Sequence, residues 1–273
     1  MVRPLAFLVG LVFVAALTIA FLMPREAAEH NAMLDFHKHP KALKLASDGP
    51  FGKFDRQQLQ RGFAVYKEVC SACHSANLLS FRNLAEIGYD EGQVKTIAKE
   101  WSHEVPSVNP DTGEAATRPG LPTDRIPSPY PNEVAARAAN NNALPPDLSL
   151  IAKAREGGPA YIYSLLTGYQ NPPANLPKEL QPGTGLHYNP YFANLNLAMA
   201  PPLTSDGQVT YGEGNPPATV DQMAKDVTAF LVWAAEPNLE KRHQTGWAVL
   251  GFLLFATVLA YLSYRNIWAG VKH

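Results

Sequence analysis

The sequence predicts a mostly α-helical domain with long loops, closed by an apolar segment at each end of the chain. Three observations carry that reading. No charged residue falls between Arg3 and Arg25, and between Arg242 and Arg265 the only ionisable side chain is His243. Apolar residues at helical spacing, each run opened by a capping residue, recur through the middle of the chain. The stretches between those runs are rich in proline and glycine, and nothing in them reads as a sheet.

The apolar ends are 21 and 22 residues long, roughly 32 Å as helices against a hydrocarbon core of about 30 Å. Residues 1–28 form the N-terminal apolar segment, read preferably as a retained anchor. The alternative is a cleaved signal peptide, which Arg3 and the run from Leu5 to Met23 would suit. Around Arg25, Glu26, Ala27 and Ala28, however, a cut would place Arg25 or Glu26 at the position three before it, where a small residue is needed. A cut after Ala20 satisfies that rule but truncates the run. Residues 243–273 form the second membrane segment and a short tail. Arg3 precedes the first segment, while Arg265 and Lys272 follow the core of the second. Basic flanks retained in the cytoplasm put both ends inside and residues 29–242 outside.

Within that exported domain, residues 29–54 read as an irregular lead-in. Asp55 with Gln58 resembles a cap and its reciprocal partner, and Leu59, Phe63 and Tyr66 follow on one face, so a helix from Arg56 should run into Cys70. Val94, Ile97, Ala98 and Trp101 suggest a short helix over 91–101. The seven prolines between Pro106 and Pro131 predict a long ordered loop or linker. Asn132 is placed to cap a helix through Ala139, and Asp147 to cap another through Arg155. Pro159 suits the first turn of a third that ends at Gly168. A small hairpin is expected around Val209–Tyr211. Thr219 and Gln222 open a helix carrying Met223, Val227, Phe230, Leu231 and Ala234, which stops near Pro237. Lys241 and Arg242 then read as a basic bridge into the last span.

The chain has two cysteines, three residues apart, in Cys70-Ser71-Ala72-Cys73-His74. This C-x-x-C-H pattern is a haem attachment signal: two thiols add across two vinyl groups, and the adjacent histidine is held beneath the iron. A redox dithiol would not need His74. A structural zinc site would need a second ligand pair that the chain cannot supply as cysteine. For the sixth iron position the candidates are His30, His37, His39, His103, His187, Met33, Met199 and Met223. Met223 lies on an apolar helix face, where a core role is expected. Met199 leads, with His187 and His103 behind it, because it sits in a late loop whose backbone is fixed by Pro201 and Pro202. A thioether in that place favours ferrous iron and gives a high-potential carrier.

Ordered around this motif are RPG at 118–120, PYPNEVAARAANNNALPPDLS at 129–149, SLLTGY at 164–169, YNPYF at 188–192, MAPPL at 199–203, PPATVDQMAKDV at 216–227 and WAAEP at 233–237. The set resembles the cytochrome c1 family, the haem subunit of ubiquinol–cytochrome c oxidoreductase, over nearly everything from Phe51 onward. The resemblance implies a cytochrome c-like helical haem domain with one covalently bound haem c, and Met199 as the sixth ligand. It implies that Arg118 and Tyr130 contact haem propionates, and, less firmly, that Asn109, Pro119 and Pro146 lie on the pocket side. The plain alternatives are a solvated cation for Arg118 and loop rigidity for the other three. Unlike some bacterial members, the chain lacks a longer middle region with an added disulfide, and its cleavage site is weak.

Two axial side chains would leave no open iron position, so outer-sphere electron transfer is expected rather than oxygen or peroxide chemistry. The resemblance implies electrons arriving from the Rieske iron–sulfur protein and leaving to a soluble or tethered cytochrome c. Cytochrome b would be the quinol-oxidising neighbour, in a dimeric respiratory complex of the bacterial cell membrane. An autonomous membrane-anchored carrier would present the same iron centre. From Glu29 to Lys241 there are 18 Lys and Arg against 23 Asp and Glu, a net of −5 before any cofactor. Such a surface suits steering of a basic cytochrome c, with Asp90, Glu91, Glu100, Glu104, Asp111 and Glu114 as the densest acids. No nucleic-acid partner is expected.

Overall fold

The computed structural model describes residues 2–23 and 31–271, divided into two units at Asp35/Phe36. The first unit holds helix α1 (Val2–Leu22), uncharged beyond Arg3 and exposed from Arg3 to Leu22. After residue 31 a turn is closed by Leu34 N–H on the Asn31 carbonyl at 2.9 Å. The cleavage positions Arg25, Glu26, Ala27 and Ala28, and the candidate ligand His30, lie outside the described residues.

The second unit is built on two helices, α2 (Arg56–Glu68) and α7 (Val220–Ala235). Asp55 caps α2, accepting from the N–H groups of Gln57 and Gln58. The reciprocal half of the expected box does not form, because Gln58 Nε2 donates instead to Asp226 at 3.0 Å. Thr219 caps α7 through Gln222 N–H at 3.1 Å, while the Gln222 side chain also goes to Asp226, at 2.8 Å. The helices meet at Gly62, where an added Cβ would stand 2.0 Å from the Asp226 carbonyl oxygen. Only glycine lets the two backbones come that near. Around the crossing, Phe230 packs on Phe63 and Tyr66 with ring centroids 5.6 and 5.5 Å apart, and Trp101 lies behind both. Tilted and edge-on aromatic contacts of this kind add to the apolar area they bury.

Several expected elements are present: α3 (Glu91–Lys99), α4 (Glu133–Ala139) under its Asn132 cap, and α6 (Gly158–Leu166) with proline in its first turn. Others differ. The proline-rich stretch contains an antiparallel ribbon, β1 (Val105–Val108) with β2 (Ala115–Arg118). In a two-stranded ribbon each strand is an edge, so Pro106, which has no N–H to give, is accommodated opposite Thr117. No strand forms at Val209–Tyr211; a short pair joins β3 (His187–Tyr188) to β4 (Asn196–Leu197) instead. Helix α5 (Ile151–Ala154) is short and Asp147 does not cap it. A 3₁₀ helix over Phe81–Ile87 was not anticipated. Its buried residues Phe81, Leu84 and Ile87 recur every third position, the period of a 3₁₀ turn rather than an α-helix. Lys241 and Arg242 are no bridge: they belong to the opening turns of α8 (Leu239–Trp268), a 30-residue helix exposed along its apolar part.

Candidate haem site

Helix α2 ends at Glu68, and the chain tightens into a 3₁₀ turn over Cys70–Ala72. Cys73 N–H and His74 N–H both donate to the Cys70 carbonyl, at 3.1 and 2.9 Å, which gathers two cysteines and the histidine on one turn. Ser71 Oγ ties that turn back to Lys67 at 2.7 Å, and the buried Tyr66 hydroxyl donates to the His74 carbonyl at 3.3 Å. The thiols are not joined to each other. Burial, reinforced by the neighbouring Cys73, pushes the Cys70 thiol up to about 12. A redox dithiol works through the opposite shift.

His74 is held by one decisive contact. Its Nδ1 lies 2.8 Å from the Pro146 carbonyl oxygen. A carbonyl only accepts, so Nδ1 carries the proton and Nε2 keeps the lone pair that a metal takes. Burial holds the ring below the ordinary histidine pKa, against the opposing pull of Pro146 and Asp147, and a neutral imidazole is the form that ligates. Two unpaired thiols beside an oriented neutral imidazole are the donor set that a covalent haem requires.

Pro146 is in turn set by the residue after it. The Asp147 carboxylate accepts from Ser75 Oγ, Asn77 N–H and Ser149 N–H, each at 2.8 Å. Leu148 N–H donates to the Ser75 carbonyl at 2.8 Å, and Leu78 N–H to Ser149 Oγ at 3.0 Å. Residues 146–149 are thereby clasped along the strand of chain that follows His74. Asp147 is a functional residue that sequence reasoning placed in the wrong role, since a helix cap and a loop clasp look alike in one dimension.

Met199 follows β4, half-buried, with its carbonyl accepting from the Tyr169 hydroxyl at 3.0 Å. Tyr169 and Pro201, on either side of it, line a cavity of about 480 Å³ together with His187 and Leu186. His187 is therefore a neighbour of the Met199 segment. Met223 is fully buried in α7, as a core residue should be. His103 lies beside β1 with Ser102 Oγ at 3.0 Å from its Nδ1, away from the His74–Pro146 contact in sequence and bonding.

The remaining expected site residues take the following partners. Arg118, at the end of β2, is engaged bidentately by Asp124 at 2.5 and 2.9 Å and donates to the Pro119 carbonyl at 3.0 Å. Its fork already grips a carboxylate of its own chain. Asn109 closes the β1–β2 turn, accepting from Asp111 N–H at 2.9 Å. The Tyr130 hydroxyl accepts from Asn140 Nδ2 at 3.0 Å. Of that set, only Pro146 bonds the haem-binding turn. Burial raises the pKa of Tyr161, and the positive charge of Arg155 opposes that rise; no motif marked either residue.

The Cytochrome C1 family model matches residues 45–271. The chain is 47% identical to cytochrome c1 of Rhodospirillum rubrum over 90% of its own length and 92% of that protein. It is 42% identical to cytochrome b-c1 complex catalytic subunit, mitochondrial, of Candida albicans, over 98% of this chain and 91% of the other. A protein of Bradyrhizobium diazoefficiens named cytochrome b/c1 is 42% identical over 96% of this chain, which spans 39% of that longer relative.

Proposed function

The chain belongs to the cytochrome c1 family, and from that premise we propose that it accepts electrons from a Rieske iron–sulfur protein and delivers them to a cytochrome c. It does so as an electron-transfer subunit of a ubiquinol–cytochrome c oxidoreductase, next to cytochrome b in a dimeric complex. One haem c, joined to Cys70 and Cys73, supplies the one-electron chemistry. The observation that carries the reading is the His74–Pro146 contact, which aims a neutral Nε2 from the same turn that presents both thiols.

The chain's own residues do the rest. His74 would hold the haem iron through Nε2, its bond to Pro146 raising its basicity and preventing ring rotation. Met199 would supply a second ligand, its backbone steadied by Tyr169 on one side and Pro201–Pro202 on the other. Arg118 and Tyr130 would contact the haem propionates, as the family resemblance implies, with Asp124 holding the Arg118 fork in place. Helix α8, and α1 where it is retained, anchor the domain in the bacterial cell membrane. The haem domain then faces the periplasm and the C-terminus the cytoplasm, as the basic flanks require. The one-chain cytochrome b/c1 of Bradyrhizobium favours the complex over an autonomous carrier.

The test is to purify the detergent-solubilised assembly, identify its subunits, and record spectra of the native protein and Met199→Leu. The native protein should be low-spin and inert to carbon monoxide, and copurify with a multi-span b-type cytochrome. Met199→Leu should become high-spin and bind carbon monoxide. A native-like spectrum in that variant would move the sixth ligand to His187.

A further inference from the structure

Phe51 has 75% of its surface exposed, yet the loop that presents it is tightly built. Gly49 has φ +76°, and a Cβ on Gly52 would stand 2.1 Å from the Ser47 carbonyl oxygen. Gly52 N–H donates to Gly49 at 3.2 Å and Lys53 N–H to Ala46 at 2.9 Å. The chain thus spends two glycine-only positions on holding a large apolar ring outward.

That ring does not stand alone. It stacks on Trp247 of α8, with centroids 4.9 Å apart and planes 4° from parallel, and Trp247 Nε1 donates to the Pro50 carbonyl at 3.3 Å. Two turns earlier, Glu240 accepts from Phe54 N–H at 2.7 Å and from Arg56 at 3.2 and 3.0 Å. The first turns of α8 are therefore fastened to residues 50–56, and the helix leaves the domain as a rigid extension of it.

Depth along α8 says what meets the stack. Trp247 and Trp268 are 21 residues apart, about 32 Å along a helix and close to the hydrocarbon thickness of about 30 Å. Residues 242–245 on the domain side of Trp247 are polar or charged, and the run from Ala248 to Ala256 beyond it carries no polar side chain. Indole rings at such a boundary sit at the level of the lipid headgroups and upper acyl chains. Phe51 shares that level through the stack, and Lys53 and Lys241, both exposed, flank the two contacts in sequence.

We propose that Phe51 and Trp247 form a lipid-binding edge, in which a loop of the haem domain inserts into the phospholipid interface and fixes the height and tilt of that domain above the bilayer. This rests on α8 crossing the membrane.

The experiment places a photoactivatable benzoylphenylalanine at Phe51 in the full haem-loaded chain, assembled in its native membrane. The same probe at Leu254, mid-span on α8, and at Val108, on the β1–β2 ribbon, gives the controls. An unchanged haem spectrum shows that each variant has folded. Illumination should yield phospholipid adducts from positions 51 and 254 and none from 108. Adducts from 51 to another polypeptide, or none while 254 labels lipid, overturn the lipid edge. No lipid adduct from 254 overturns the membrane span itself. In a companion measurement, Phe51→Ala should blue-shift less of the Trp247 emission on reconstitution into vesicles than the native chain does; an unchanged shift also counts against the edge.

Discussion

Asp147 shows how much one side chain can organise when its bonds cross between segments. Its burial disfavours the charge, but the bonds from Asn77, Ser149 and Ser75 outweigh it and hold the carboxyl below its ordinary value. A depressed carboxylate contributes stability above the unfolded-state pKa, and loses it as pH falls through the folded value. Asp147→Asn keeps the shape but leaves donors facing an amide, at a cost of about 1–3 kcal/mol. Denaturant unfolding of the haem-loaded domain at neutral pH should show that loss, and the gap between native protein and variant should start to narrow only below about pH 4, as the carboxylate protonates. The variant should also raise the midpoint potential, because a looser Pro146 bond makes His74 less basic; redox titration reads this directly. Arg118, which the resemblance assigns to a haem propionate, is held in place by Asp124 through both arms of its fork.

Among the elements, the α2–α7 crossing decides where the haem-binding turn stands, since α2 feeds straight into Cys70. Gly62→Ala would push a methyl against the Asp226 backbone, and should cost about 1–3 kcal/mol by overpacking, with a lower thermal midpoint as the readout. Asp226 is wholly buried and Arg61 nearly so, at 2.9 Å. Asp226→Ala strands that guanidinium and should cost about 3–5 kcal/mol, more than the glycine change. The capped helices were legible because a cap and its apolar face lie within one stretch of sequence. The β1–β2 ribbon and the 3₁₀ helix were not. The ribbon depends on pairing across a turn, with Pro106 in one strand and Pro110 in the turn masking it, and the 3₁₀ helix on a three-residue period too brief to stand out.

For the whole molecule, the first turns of α8 belong to the domain although the sequence assigns them to a bridge. Ending the exported fragment after Asn238 removes Glu240 and its bonds to Phe54 and Arg56, while ending it after Thr245 keeps them. The longer fragment should unfold at the higher denaturant midpoint; equal midpoints would make the junction cosmetic. The net charge of −5 over residues 29–241 also predicts that electron transfer to a basic cytochrome c slows as ionic strength rises. Stopped-flow rates at increasing salt test it, and a flat profile would remove steering from the account.

By itself the sequence determined the chemistry that is local in the chain: the thiol pair with its histidine, the apolar segments, and the helices that carry their own caps. Each is written within a few consecutive residues, so its physics survives in one dimension. Only the tertiary structure decided that Pro146 orients His74, that Asp147 clasps rather than caps, that Asp124 grips Arg118, and that Phe51 meets Trp247. Those outcomes depend on which groups distant in sequence reach each other's hydrogen-bond or ring-stacking distance, and that is settled by how the helices cross.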